Sequence, residues 1–175
     1  MTFAELNGLE EAEARAAFER CCGSSRWVEA MMAGMPYDSF PAVVAASDDA
    51  FGELEDRDWM EAFRHHPMIG DVSELRKKFA STAAWAGAEQ GGAAAASEAT
   101  LAALAAGNRA YAERFGYIFI VCATGKSADE MLGLLRLRLA NDAASELPIA
   151  AEEQRKITGL RLMKLFEEEI SGGRA

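Results

Sequence analysis

The chain has 175 residues, half of them apolar, and carries a formal net charge of −10. This length predicts one domain, residues 1–175, with a sizeable core. The scattered Lys and Arg residues argue against a nucleic-acid partner, and no apolar run approaches the roughly 20 residues of a membrane-spanning helix. The N-terminus lacks the pattern of a secretory signal, and the three cysteines have no metal-binding or redox spacing. We therefore expect a cytoplasmic protein that binds neither nucleic acid nor a membrane.

The first third of the chain has apolar residues at helical spacing. This pattern predicts helices over Leu9–Cys22 and Trp27–Met32, separated by Gly23 and a pair of capping serines. Two further helices are predicted over Ser39–Leu54 and Asp56–Arg64. The acidic first turn of the second of these suits the positive end of the helix dipole.

The two histidines of the chain are adjacent, in the run His65-His66-Pro67-Met68-Ile69-Gly70-Asp71. Pro67 biases His66 toward extended backbone and Gly70 permits a tight turn, so the run is predicted to leave the preceding helix near Phe63. An imidazole can shuttle protons near neutral pH, which makes the run a candidate catalytic element. A turn with two solvated histidines is the alternative interpretation.

The middle of the chain is rich in Ala and Gly. A short helix is predicted over Val72–Phe79, and an amphipathic helix over Ser97–Phe115 is predicted to end at Gly116. Between them, Glu89 and Gln90 stand among glycines, where a carboxylate and an amide would have open space for a ligand. A flexible loop is the alternative for this stretch.

The segment Tyr117–Cys122 has a β-like composition, but the chain has no second run of this kind to pair with it. We interpret it as an extended, buried connector whose amide groups can bind a ligand. A capping box, Ser127-Ala-Asp-Glu130, predicts a helix to Asn141, and the last long helix is predicted from Pro148 to about Ile170. The whole pattern predicts an all-α, single-domain helical bundle with one connector near 117–122.

Arg161 lies among apolar residues of the last predicted helix, one turn from both Ile157 and Leu165. At least part of its stem is therefore expected to be buried, and a buried guanidinium requires an acidic partner. That partner is either a carboxylate on another helix, in an ordinary salt bridge, or an anionic ligand.

Five motifs occur in the order typical of one enzyme family. They are His66-Pro67-x-Ile69-Gly70, Glu89-Gln90, Asn108-x-x-Tyr111-x-x-x-Phe115-Gly116, Gly125-Lys126 and Lys156-Ile157-x-x-Leu160-Arg161-Leu162. In this order they resemble the OHCU decarboxylases, which act on 2-oxo-4-hydroxy-4-carboxy-5-ureidoimidazoline (OHCU) in uric acid breakdown. The resemblance covers nearly the whole chain.

The resemblance implies a carboxy-lyase that works without cofactor or metal and converts OHCU to (S)-allantoin with stereospecific protonation. It also implies an all-helical homodimer. The implied catalytic residues are His66 and Glu89, whereas His65 has no direct role. The implied substrate-binding residues are Pro67, Gln90, Phe119, Ile120, Val121, Cys122, Ala123 and Arg161.

The chain departs from the family pattern at one place. Members commonly carry a serine within one turn before the Glu-Gln pair, where this chain has Ala86-Gly87-Ala88. A hydroxyl contact to the ligand is therefore expected to be missing.

Two other functions compete with the decarboxylase interpretation. One is a catalytically silent helical binding protein on the same scaffold, although such a protein has no need of His66, Glu89 and Arg161 together. The other is a metal-dependent hydrolase that uses His65, His66 and Asp71. Adjacent histidines on a turn point apart and supply too few ligands for a closed site, which disfavours the hydrolase.

Overall fold

The computed structural model describes residues 1–67, 72–73, 75–77 and 97–172. The described residues form helices and connecting segments with no strand among them, which confirms the predicted all-α class. The helices are α1 (Phe3–Asn7), α2 (Glu11–Glu19), α3 (Ser25–Ala33), α4 (Phe40–Gly52), α5 (Asp56–Arg64), α6 (Glu98–Phe115), α7 (Ala128–Leu139), α8 (Ala143–Leu165) and α9 (Glu167–Gly172). Residues 72–73 and 75–77 are also helical. Among the described helices, none has the length and apolarity needed to cross a bilayer.

Capping residues set most of the helix ends where the sequence predicts them. The Ser97 hydroxyl accepts from the Thr100 amide at 3.0 Å at the start of α6, and Gly116 ends that helix with a φ of 78°. The predicted capping box before α7 is present, with the Ser127 amide donating to the Glu130 carboxylate at 2.7 Å. Short polar side chains and glycine therefore determine these boundaries.

The predicted start of the last long helix at Pro148 is wrong, because α8 begins at Ala143. Asp142 caps it instead: its carboxylate accepts from the Ser145 amide at 2.8 Å, and its carbonyl accepts from the Glu146 amide at 3.0 Å. Pro148 lies inside the helix, where it leaves one helical hydrogen bond unmade. The side-chain cap and the packing of the helix outweigh this loss.

The described chain divides into two compact units, residues 1–65 with 151–175 and residues 66–150. The first unit has an aromatic core around Trp27. The Trp27 and Phe51 rings stack at 5.8 Å between centroids, Phe51 stacks on Trp59 at 5.3 Å, and the buried indole N–H of Trp27 donates to Ser47. The prediction of a single domain stays a prediction.

The second unit is built on the packing of α6 against α7. Its buried side chains include Leu101, Leu104, Tyr111, Ile120 and Leu135. At Gly107 the two helices approach closely, since a β-carbon there would lie 2.6 Å from Cδ2 of Leu135. By contrast, among the described residues, no atom outside the local backbone of the helix lies within 4 Å of the position of a β-carbon on Gly133 of α7.

These two helical glycines form a matched pair for a stability test. Gly133→Ala should raise the free energy of unfolding by up to about 1 kcal/mol, because alanine favours helix and the site has room. Gly107→Ala should lower it by roughly 1 kcal/mol or more, because overpacking against the fully buried Leu135 outweighs the same gain. Denaturant titration of both variants measures the difference, and equal shifts would contradict the close approach at Gly107.

Candidate functional site

The histidine run begins where α5 ends. His65 is the C-cap, in αR conformation with φ −79° and ψ −1°, and its amide donates to the Ala62 carbonyl at 3.2 Å. His65 and Pro67 are exposed, whereas His66 is half-buried. The chain therefore leaves the helix at the histidines, as the Pro67 signal predicts, and the two imidazoles have different environments.

His65 is held in the first unit by a close approach to Gly23. A β-carbon on Gly23 would lie 2.5 Å from the β-carbon of His65. Only glycine leaves room for the His65 side chain at this place. The His65 side chain therefore has a packing role at the end of α5.

The predicted connector is present as an irregular segment at residues 117–123. Ile120 is buried, while Phe119, Val121, Cys122 and Ala123 are half-buried. The Cys122 carbonyl accepts from Nζ of Lys126 at 2.6 Å, and the Ala123 carbonyl accepts from the Lys126 amide at 3.1 Å. Lys126 thus fixes the C-terminal end of the segment.

Three backbone amides in the middle of this segment stand out by their hydrogen bonding. Within the described residues, the amides of Phe119, Ile120 and Val121 donate no hydrogen bond, although the segment is largely withdrawn from solvent. Backbone donors in such a place favour a ligand with carbonyl or carboxylate oxygens.

A buried ionic cluster that the sequence analysis did not identify lies behind the same segment. Arg138 of α7 is 6% exposed and Glu146 of α8 is fully buried. Nε of Arg138 donates to the Glu146 carboxylate at 2.6 Å, and its Nη1 donates to the Ile120 carbonyl at 2.6 Å. The ion pair is therefore completed by the backbone of the connector.

Two more polar groups complete the surroundings of Glu146. The Tyr111 hydroxyl donates to one carboxylate oxygen, and Nδ2 of Asn141 donates to the other at 2.7 Å. Burial and this hydrogen bond raise the pKa of Tyr111 well above its usual range, so the phenol stays protonated as a donor. The sequence contained a signal for the cluster, since Arg138 lies among the apolar residues of α7 as Arg161 lies among those of α8.

Arg161 of α8 is half-buried and belongs to a second group of polar contacts, around the Cys21 carbonyl. Its Nη1 donates to the Cys21 carbonyl at 3.1 Å, and that carbonyl also accepts from the Thr158 hydroxyl at 3.4 Å. Within the described residues Arg161 makes no ion pair with a carboxylate. Among the described residues, the salt-bridge alternative therefore finds no support.

Some predicted site residues lie outside the described residues. These are Glu89 and Gln90, together with Asp71 of the metal alternative. Among the described residues, no group of three His, Cys, Asp or Glu side chains could hold a metal ion. His66 and residues 119–123 belong to the second unit, and Arg161 belongs to the first.

Comparison with known proteins places these features in a family. The family model of OHCU decarboxylase matches residues 7–163, which include the histidine run, the connector and Arg161. The chain belongs to the OHCU decarboxylase family. The predicted family resemblance is thereby confirmed.

Two curated relatives show how far the similarity extends. The uric acid degradation bifunctional protein TTL of Arabidopsis thaliana is 41% identical over 162 residues, which are 85% of this chain but 46% of that protein. An OHCU decarboxylase of Haloferax volcanii is 26% identical over 97% of this chain and 98% of its own length. The chain thus spans about half the length of the plant relative and nearly all of the archaeal one.

A solved structure shares the fold. The crystal structure of an OHCU decarboxylase in the presence of (S)-allantoin superposes with a TM-score of 0.70 at 38% identity, over 86% of this chain and 96% of that one. The crystal structure of an (S)-allantoin synthase, at 19% identity, gives a TM-score of 0.68. Both agree with the all-helical architecture.

The cysteines give a chemical test of the described burial. Burial raises the pKa of Cys21 and of Cys22 to about 11, whereas Cys122 is half-buried in the connector. A thiol reagent at pH 8 should therefore modify Cys122 first and leave the other two intact in the native protein, because only the thiolate reacts. Peptide mass spectrometry after short labelling locates the modified residue, and early labelling of Cys21 or Cys22 would contradict their burial.

Proposed function

We propose that this chain decarboxylates OHCU to (S)-allantoin in uric acid catabolism. The observation that carries the proposal is the family match over residues 7–163, because it includes in one chain His66, the connector and Arg161. A 38% identical relative whose crystal structure was obtained in the presence of (S)-allantoin supports the ligand class.

The substrate itself can take up the electrons of the breaking bond. Loss of CO2 from the hydroxyl-bearing ring carbon leaves an electron pair that forms a C=C bond to the ureido-bearing carbon, while the electrons of the adjacent ring C=N bond move to its nitrogen, which takes up a proton. The enol formed in this way then loses its hydroxyl proton as the carbonyl forms, and a proton is delivered to the ureido-bearing carbon. The protein must therefore manage these three proton transfers, exclude water and present one face of the ring to the proton donor.

His66 is the proposed proton-transfer group. A half-buried imidazole just past a helix end can exchange protons with a bound ligand near neutral pH. We propose that Glu89 hydrogen-bonds the ring hydroxyl or the ureido group, with Gln90 and Pro67 beside the ring. The missing serine before Glu89 would then weaken ligand affinity more than it slows the chemistry.

Polar edges of the substrate are proposed to bind the connector and Arg161. The amides of Phe119 and Val121 can donate to substrate carbonyl or carboxylate oxygens. The Arg161 fork, which gives one donor to the Cys21 carbonyl, has further N–H groups for an anionic or carbonyl-rich ligand. A local cation is needed because the net charge of −10 disfavours anions.

We propose in addition that the chain is one domain, acts as a homodimer and resides in the cytoplasm. A single family match across residues 7–163 supports the first point, since it covers parts of both compact units. The homodimer rests on the family resemblance. The location rests on the composition and on the metabolic role of the relatives.

The two histidines allow a sharp test of the mechanism. His66→Ala should remove most of the enzymatic acceleration, about a hundred- to ten-thousand-fold, because it removes the proposed proton shuttle. His65→Ala should retain most activity, because His65 packs at the helix end. Decay of freshly generated OHCU, followed by circular dichroism of the allantoin formed, measures both rates.

Thermal stability of each variant serves as the control, since His65 contacts Gly23. Equal losses of activity in two folded variants would mean that His66 is not the proton shuttle. A wild-type chain that binds allantoin but never accelerates OHCU decay would instead indicate the catalytically silent binding protein.

Arg161→Lys tests the proposed ligand anchor. The change preserves the charge but loses the planar fork that grips two acceptors, so affinity for allantoin should fall about ten- to a hundredfold. Calorimetric titration measures the affinity. Arg161→Ala should be at least as harmful.

The matched control is Arg155→Ala on the same helix, which removes an exposed ion pair to Asp48 at 2.9 Å. Such pairs contribute about 0–1 kcal/mol, and affinity should not change. A large drop in melting temperature for Arg161→Ala with affinity intact would identify Arg161 as a structural residue.

A further inference from the structure

The Arg138 guanidinium contacts the connector in two ways. Its Nη1 donates to the Ile120 carbonyl at 2.6 Å, and its Cζ lies 4.8 Å from the centroid of the Phe119 ring. The first contact fixes the backbone, and the second is a cation–π contact with a neighbouring side chain. A single buried cation therefore holds two consecutive residues of the segment.

The position of Arg138 is itself determined by groups from two helices. Glu146 of α8 accepts from Nε, and the Tyr111 hydroxyl of α6 accepts from Nη2 at 3.1 Å. Tyr111 in turn donates to Glu146, so the three side chains form a closed set of hydrogen bonds. The guanidinium has little freedom to shift without breaking several of them.

Stability alone is a weak reason for this arrangement. The desolvation cost of a buried ion pair often exceeds its Coulombic gain, and apolar replacements of such pairs are frequently neutral or stabilising. A planar fork with five donors is nevertheless suited to fix one carbonyl relative to two helices. The cluster instead fixes the positions of the Ile120 carbonyl and the Phe119 ring.

We propose that Arg138 is a positioning residue for the substrate-binding backbone at residues 119–123, held in place by Glu146 and Tyr111. This inference rests on the proposed function, since it assumes that the amides of this segment bind OHCU. With the Ile120 carbonyl tied to Arg138, the adjacent amides keep a fixed direction toward the ligand. Loss of the tie lets the segment shift, and a displacement of about 1 Å can reduce catalysis a hundredfold.

Arg138→Lys is the first test variant. An ammonium group retains the charge beside Glu146, but it cannot contact Glu146, Ile120 and Tyr111 with the geometry of the fork. We expect the KM for OHCU to rise at least tenfold and the excess of (S)-allantoin to fall. Amide hydrogen exchange at residues 119–123 should accelerate at least tenfold.

The double variant Arg138→Met, Glu146→Gln removes both charges together. It avoids an uncompensated buried carboxylate and keeps an acceptor oxygen for Tyr111 or Asn141. We expect a folded protein with the same rise in KM and the same faster exchange as in Arg138→Lys. If this variant does not fold, Arg138→Lys measured below its melting temperature decides the question.

Arg114→Met is the matched control. Arg114 makes the same two kinds of contact in the same unit, with a 2.8 Å hydrogen bond to the Asn141 carbonyl and a Cζ 5.4 Å from the Phe115 ring centroid. It contacts no residue of the 119–123 segment and is exposed. KM, product handedness and exchange at 119–123 should stay within twofold of wild type.

Several outcomes would overturn the proposal. A melting temperature that falls while KM and handedness of the folded protein stay unchanged would show that Arg138 is only structural. Unchanged exchange at 119–123 in Arg138→Lys would show that Arg138 does not hold the segment. If the wild-type chain fails to turn over OHCU, the proposed function is wrong, and the exchange rates still report separately whether Arg138 fixes this backbone.

Discussion

A buried guanidinium needs a compensating charge and acceptors for its N–H groups, and this requirement organises the second unit. Arg138 meets it with Glu146, Tyr111 and the Ile120 carbonyl, contributed by α8, α6 and the connector. An unmade hydrogen bond to any of these buried groups would cost about 1–3 kcal/mol or more. The irregular path of residues 117–123 therefore depends on a side chain of α7 as well as on its own composition.

The same constraint explains how an irregular backbone segment is held within a helical protein. Helices use their amides internally, except in the first turn, so a ligand site built from backbone N–H groups requires an irregular segment. Such a segment is costly to bury, because its polar groups must find partners. Here Arg138 and Lys126 satisfy carbonyls of Ile120 and Cys122, while neighbouring amides retain their capacity.

The arginines of this acidic chain differ in how deeply they are buried, and their contacts differ accordingly. Arg155 and Arg76 make exposed ion pairs of the kind that contribute little to stability. Arg138 is enclosed by protein partners, whereas the half-buried Arg161 gives one hydrogen bond to the Cys21 carbonyl. The described residues thus satisfy Arg161 only in part, which distinguishes it from the enclosed Arg138.

The sequence by itself determined the all-helical class, the Asp56–Arg64 helix, the capping of α6 and α7, and the connector, because these depend on local periodicity, caps and turn residues. The ordered motifs also determined the family, although the roles of His66, Glu89 and Gln90 stay predictions. Only the structure showed that α8 begins at Ala143 despite Pro148, and that Arg138 rather than any local residue holds Ile120. Such contacts join residues far apart in the chain, and sequence patterns of helical period carry no information about which buried charges meet.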